Sequence, residues 1–154
     1  LEDDPLNAAL HDRFAWLICN RTRKLDYAKT ISEKSIALDP HSCAALVNLA
    51  IINYRLQDIE QGDINIDLAR KAGRPFAFCK LRKAVGRYHY AVKEVDLSIA
   101  IPTLEAAEKL LIEAERYSNN ENGYNCKTKI ETDKYKKLVS SKLTILRTKR
   151  TKSL

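Results

Sequence analysis

The chain has no methionine, one tryptophan, four glycines and four prolines. So little glycine and proline argues against collagen-like, linker-like and turn-rich all-β chains, and leaves room for long helices. No apolar run reaches the roughly 18 residues of a membrane span. The acidic start (Glu2, Asp3, Asp4) lacks the basic opening of a signal peptide. Cysteines stand only at 19, 43, 79 and 126, with no Cys-x-x-Cys pair and no histidine at zinc spacing, so no metal site is expected. Their scatter along apolar stretches predicts reduced, mostly buried thiols in a cytoplasmic protein, where the Asn20-Arg21-Thr22 sequon is accidental. A chain that starts at Leu1 without methionine is expected to be a segment of a longer protein, or to have lost its start.

Catalytic signatures are missing as well. There is no glycine-rich phosphate loop, no Gly-x-Ser-x-Gly and no His-Glu-x-x-His. His11, His41 and His89 are isolated in sequence and read as surface or core residues. Asp63-Ile64-Asn65-Ile66-Asp67 opens like a calcium loop, but Leu68 replaces the glycine of the turn and Arg74 the closing glutamate. No enzymatic activity and no cofactor are expected.

What remains is 154 residues, 45% hydrophobic and 31% charged, enough for one domain with a core. The net charge of +7 is unevenly placed. Residues 126–154 hold ten basic and two acidic side chains, against 17 and 18 in residues 1–125. The positive charge belongs to the tail.

Apolar periodicity organises the body. Phe14, Ala15, Trp16, Ile18 and Cys19 follow helical spacing; after a polar break, so do Leu25, Ala28, Ile31, Ser32, Ser35, Ile36 and Leu38. Asp39-Pro40 closes that second stripe. Sliding the chain by 34 residues places Ala15 on Leu49, Leu25 on Ile59, Ala28 on Gly62 and Ser35 on Ala69, with Trp16 on Ala50 as the mismatch. A further slide puts Ala50 on Ala84 and Tyr54 on Tyr88. Ala107 and Ala114 repeat the seven-residue small pair 11 residues late, which predicts an insertion over 93–103 and a last helix starting at Pro102-Thr103.

These paired small residues, the apolar spacing and Ile36-Ala37-Leu38-Asp39-Pro40 closing the first unit resemble the tetratricopeptide repeat (TPR). The resemblance covers about residues 8–118 and implies an all-α helical-hairpin solenoid of about three repeats. Trp16 departs from it, since that position is normally small; a tryptophan there must displace the neighbouring helix or cover an open end. Asn119-Asn120-Glu121-Asn122-Gly123 predicts a loop over 119–126. Beyond it, Tyr135, Leu138, Val139, Lys142, Leu143 and Leu146 give a basic amphipathic helix over 127–154, read as a cap, with Arg147–Lys152 disordered at its end.

The resemblance also implies a function. It points to a non-enzymatic protein–protein interaction module whose concave groove binds a peptide or a neighbouring domain, as the C-terminal region of a larger protein; bacterial signalling and defence ATPases carry such arrays. Chaperone-binding members hold a peptide's terminal carboxylates with five polar and basic residues. Those places fall on Arg13, Leu17, Asn48, Phe78 and Arg82, where Leu17 and Phe78 depart from the family's Asn and Lys and imply a mixed apolar and basic site. Asn48 and Asn53 are expected to hold peptide backbone. A basic and aromatic cluster from Arg82 to Tyr90 reads as core plus solvated face. The second reading of the chain is nucleic-acid or other anion contact through the tail, at Lys142, Arg147, Lys149, Arg150 and Lys152.

Overall fold

The computed structural model describes residues 7–118 and 126–152. Among the described residues there are seven helices and no strand: α1 (Ala8–Arg21), α2 (Leu25–Leu38), α3 (Cys43–Arg55), α4 (Ile59–Lys71), α5 (Phe76–Lys93), α6 (Leu97–Ser118) and α7 (Cys126–Lys152). The chain divides into two compact units, Leu1–Arg74 and Pro75–Leu154. None of these helices is long and apolar enough to cross a membrane.

In the first unit, side-chain caps set the helix starts. The Oδ1 of Asn7 accepts the Leu10 N–H at 3.0 Å, the Oγ of Ser42 accepts that of Ala45 at 3.4 Å, and the Oδ1 of Asp58 accepts that of Gln61 at 3.0 Å. Each bond satisfies a first-turn amide that has no partner within its own helix. Short connections fold α1 back on α2 and α3 back on α4, while α3 also packs on α2 and α1. The helices meet through small side chains. Ala15, Ala28, Ala45, Ala50 and Ala69 are fully buried, as are Ile52 and Ile66. The 34-residue register reappears as burial: Ala15 with Leu49, Ala28 with Gly62 and Ser35 with Ala69 are all inside. The Oγ of Ser35 donates to the Ala8 carbonyl at 2.8 Å, tying the end of α2 to the start of α1.

Trp16 lies on the exposed surface of α1. It keeps 37% of its surface, and the Arg55 guanidinium of α3 stands 5.8 Å from its ring centroid. Arg55 also donates to the Cys19 carbonyl at 2.8 Å and to the Asn20 side-chain oxygen at 3.0 Å. One side chain therefore covers the indole and satisfies a carbonyl in the last turn of α1.

The second unit differs in helix length. The insertion expected over 93–103 is largely helical, and the last helix does not start at Pro102. The extra residues lengthen both helices, to 18 residues in α5 and 22 in α6, with only Glu94–Asp96 between them. Asp96 starts α6 instead: its Oδ1 accepts the Ser98 N–H at 2.8 Å and the Ser98 hydroxyl at 2.7 Å. Those two bonds hold the Asp96 carboxyl below the usual carboxylate range. Pro102 sits inside the helix on an exposed side, where the carbonyl it leaves unpaired can face water.

α7 packs on α6 and α5. Thr128, Thr132, Tyr135, Val139, Leu143 and Leu146 form its buried stripe, and the last four join Leu81, Ala84, Leu104, Ala107 and Leu111 in one core. The expected disorder of Arg147–Lys152 is also corrected, for α7 stays helical to Lys152. An anchored helix extends without a fresh nucleation cost, and cations suit its C-terminal end. Arg147 is paired with Glu105 of α6 at 2.8 Å, and the Oγ1 of Thr148 donates to the Thr144 carbonyl at 2.9 Å. The loop expected over 119–126 lies outside the described residues except at Cys126, where α7 already begins.

Gly62 shows how tightly the repeat is built. A Cβ added there would lie 2.3 Å from Cε1 of Tyr54, whose ring is 95% buried and whose hydroxyl donates to Asp63 at 2.7 Å. Gly62→Ala is expected to destabilise the fold by about 1–3 kcal/mol despite alanine's better helix propensity. Urea unfolding followed by circular dichroism checks it; an unchanged or higher midpoint would show that the ring yields freely.

Candidate functional site

Leu10, Arg13 and Leu17 of α1 are exposed and follow i, i+3, i+7 spacing, so they share one face. Leu17 keeps 52% of its surface and Leu10 40%. Arg13 makes no ion pair among the described residues. Asn48, on the neighbouring α3, is turned toward this helix: its amide donates to both carboxylate oxygens of Asp12, at 2.9 and 3.2 Å. Structure therefore brings Arg13, Leu17 and Asn48 onto α1 and α3 of one unit, with Asn48 already holding a carboxylate. Asn53 is placed apart. It lies five residues on, about 140° around the helix, is 1% exposed, and its side-chain oxygen is buried with no hydrogen-bond partner among the described residues.

In the second unit Phe78 and Arg82 are one turn apart on α5, with the guanidinium 5.0 Å from the phenyl centroid. Arg82 is half-buried and already engaged. Its two terminal nitrogens donate to the two carboxylate oxygens of Glu131 on α7, at 3.0 and 2.5 Å. This is the two-pronged geometry in which a planar guanidinium meets a carboxylate most strongly. One turn further along α7, the Tyr135 ring lies 5.5 Å from that of Tyr88, and its hydroxyl is 3.1 Å from Nε2 of His89. Burial pushes the Tyr135 hydroxyl above its usual value; the Glu131 charge adds to this and Arg82 opposes it. The basic and aromatic cluster is thus core at Tyr88 and an ion pair at Arg82.

Glu131 and Leu10 were not singled out in the sequence. Leu10 carried a signal, the i, i+3, i+7 spacing. Glu131 stands 49 residues from its partner, and its only mark was being one of two acids in a strongly basic segment. Of the tail residues, Lys142 is half-buried, Arg147 is paired with Glu105, and Lys149, Arg150 and Lys152 are exposed. Among the described residues no three His, Cys, Asp or Glu side chains are grouped to hold a metal ion.

No protein-family sequence model matches the chain, and no curated protein sequence matches it. A solved structure does: the first TPR of Spaghetti (RPAP3) bound to the HSP90 peptide SRMEEVD, with a TM-score of 0.61 over 92% of this chain and 96% of that one, at 18% identity. The fold is TPR-like. Within the chain α1 packs on α2, α3 on α4 and α5 on α6, Leu10, Arg13 and Leu17 lie on α1, and α7 follows α6. At this identity the likeness is one of fold.

Two buried groups should make the TPR-like fold sensitive to alkali. Burial raises the Cys19 thiol above its usual value, more than the nearby Arg55 guanidinium lowers it, and Tyr135 is raised likewise. Groups held neutral in this way contribute stability that is intact below their unfolded values, about 8.5 for thiol and about 10 for tyrosine. It is lost as pH climbs through the raised folded values. The urea midpoint should therefore fall between about pH 8 and pH 11, and fall less in Cys19→Ala and Tyr135→Phe. Equal slopes in all three proteins would remove these groups as the cause.

Proposed function

We propose that this chain is a non-enzymatic protein-interaction module that holds an extended peptide segment on the exposed face of α1 and its neighbour α3. The observation that carries the reading is the Leu10–Arg13–Leu17 stripe, an exposed cation between two exposed leucines on the first helix of a TPR-like fold. Its support from comparison is that a structure of similar fold holds an acidic peptide, SRMEEVD. The chemistry suits a segment with one carboxylate for Arg13 and apolar side chains for Leu10 and Leu17. A charge-assisted hydrogen bond supplies direction, and leucine burial supplies most of the affinity. Asn48 and Arg82 are less available to such a ligand, because Asp12 and Glu131 already occupy their donors. Among the described residues Cys19 and Cys43 are free thiols, which suits a reducing, cytoplasmic setting.

Anisotropy titration with labelled SRMEEVD, and with a peptide library biased to one acid flanked by apolar residues, tests this. Arg13→Ala and Leu17→Ala should each weaken the best peptide about 5- to 30-fold, as loss of one charged hydrogen bond or one buried leucine does. Arg82→Ala should lower stability, by stranding Glu131, more than it lowers affinity. Affinity unchanged in the Arg13→Ala, Leu17→Ala double variant would defeat the proposal.

A further inference from the structure

The charge that sets this chain apart lies on α7, and the fold decides which of it faces outward. Thr128, Thr132, Tyr135, Val139, Leu143 and Leu146 turn inward. At 100° per residue, Lys127, Lys134, Lys137, Lys149 and Lys152 then fall within an arc of about 120° that runs from the edge of this stripe, at Lys149, round to the far side of the helix, and all five are exposed. None of the five has a carboxylate partner among the described residues. The flanking cations differ: Lys136 pairs with Glu115 at 2.7 Å and Arg147 with Glu105 at 2.8 Å. Of the two acids on α7, Glu131 is taken by Arg82 and Asp133 lies outside the arc. The outward face is a stripe of lysines with no neutralising charge, on a rod of 27 residues, about 40 Å long.

We infer that this stripe is a binding surface for the phosphate backbone of double-stranded nucleic acid, without sequence preference. Four features favour that occupant. The apolar side of α7 is already sealed in the core, and its exposed apolar residues, Ile130 and Ile145, are 15 positions apart, so it offers a bilayer no face to bury. α7 exposes no aromatic ring on which unpaired bases could stack, since its one described aromatic, Tyr135, is buried; this disfavours single strands. The stripe is lysine throughout, a set of point charges without the bidentate fork that reads guanine edges. Finally, duplex phosphates form a nearly continuous line of charge, about one per 1.7 Å of axis, which accepts lysines at uneven intervals along 40 Å. An acidic protein would have to match those intervals one by one.

The test uses the full chain and a labelled duplex of about 24 base pairs, with salt raised from about 50 to 200 mM. Expected are binding at low salt, a log–log salt slope of about −3 to −4.5, and affinities within about twofold for duplexes of unrelated sequence. Changing all five lysines to Gln should cost at least tenfold, and Lys149→Gln with Lys152→Gln alone about threefold, with far-UV circular dichroism unchanged. The control set Lys24→Gln, Lys34→Gln and Lys71→Gln should bind as wild type, as should Arg13→Ala, which separates this surface from the peptide face. The inference is overturned by absent duplex binding at low salt or by undiminished binding in the five-lysine variant. Tighter binding to single strands, to polyglutamate or to mixed phosphatidylserine–phosphatidylcholine vesicles would overturn it equally.

Discussion

Close approach between helices governs this structure, and it is possible only where side chains nearly vanish. Gly62 lets the Tyr54 ring lie where a methyl group would otherwise stand, and fully buried alanines occupy the equivalent contacts elsewhere. With helix surfaces this near, larger side chains such as Ile52, Ile66 and Leu104 can fill the remaining space without voids. The direction of each hairpin follows from the same contacts, and so does the face that α1 leaves to solvent. A repeat whose small positions were enlarged would have to separate its helices, and the exposed stripe of Leu10, Arg13 and Leu17 would lose its fixed backing.

A second theme is internal satisfaction of charge. Arg82 meets Glu131, Asn48 meets Asp12, Arg55 meets the end of α1, and Lys136 and Arg147 meet glutamates of α6. Each partner comes from a different helix of the same unit, so these bonds link helices as well as neutralise groups. The partly shielded Arg82–Glu131 fork is stronger than the exposed pairs on α6 and α7, which water and salt weaken. The groups left over are therefore informative. Among them are Arg13 on α1 and the lysine stripe of α7, and the two proposed binding activities rest on these.

Much of this was legible in the sequence. The 34-residue spacing of small residues located the hairpins, because burial at those positions tolerates little else. Asp39-Pro40 located the end of α2, since proline cannot follow a helical residue comfortably. The errors came where a local rule met a longer-range one. Proline at 102 looked like a helix start, but the Asp96 carboxylate caps an earlier one and the proline tolerates its place on the water side. The end of α7 looked disordered from composition alone, yet it continues a helix already anchored by Tyr135, Val139 and Leu143. The site was less legible than the fold. The TPR resemblance placed Arg13 and Leu17 on a first-helix face, but no local pattern announces that Asp12 takes Asn48, or that Glu131 takes Arg82 from 49 residues away.

The contact between Arg55 and Trp16 gives the molecule a built-in reporter. Trp16 is the chain's one tryptophan, it belongs to the first unit, and a cation from α3 stands over its ring. Its emission reports on the docking of α3 on α1, whereas the second unit carries tyrosines and no tryptophan. Excitation at the red edge of the indole band thus watches one half of the chain while circular dichroism watches both. Unfolding of the first unit can thus be set against loss of helix in the whole chain, without any label.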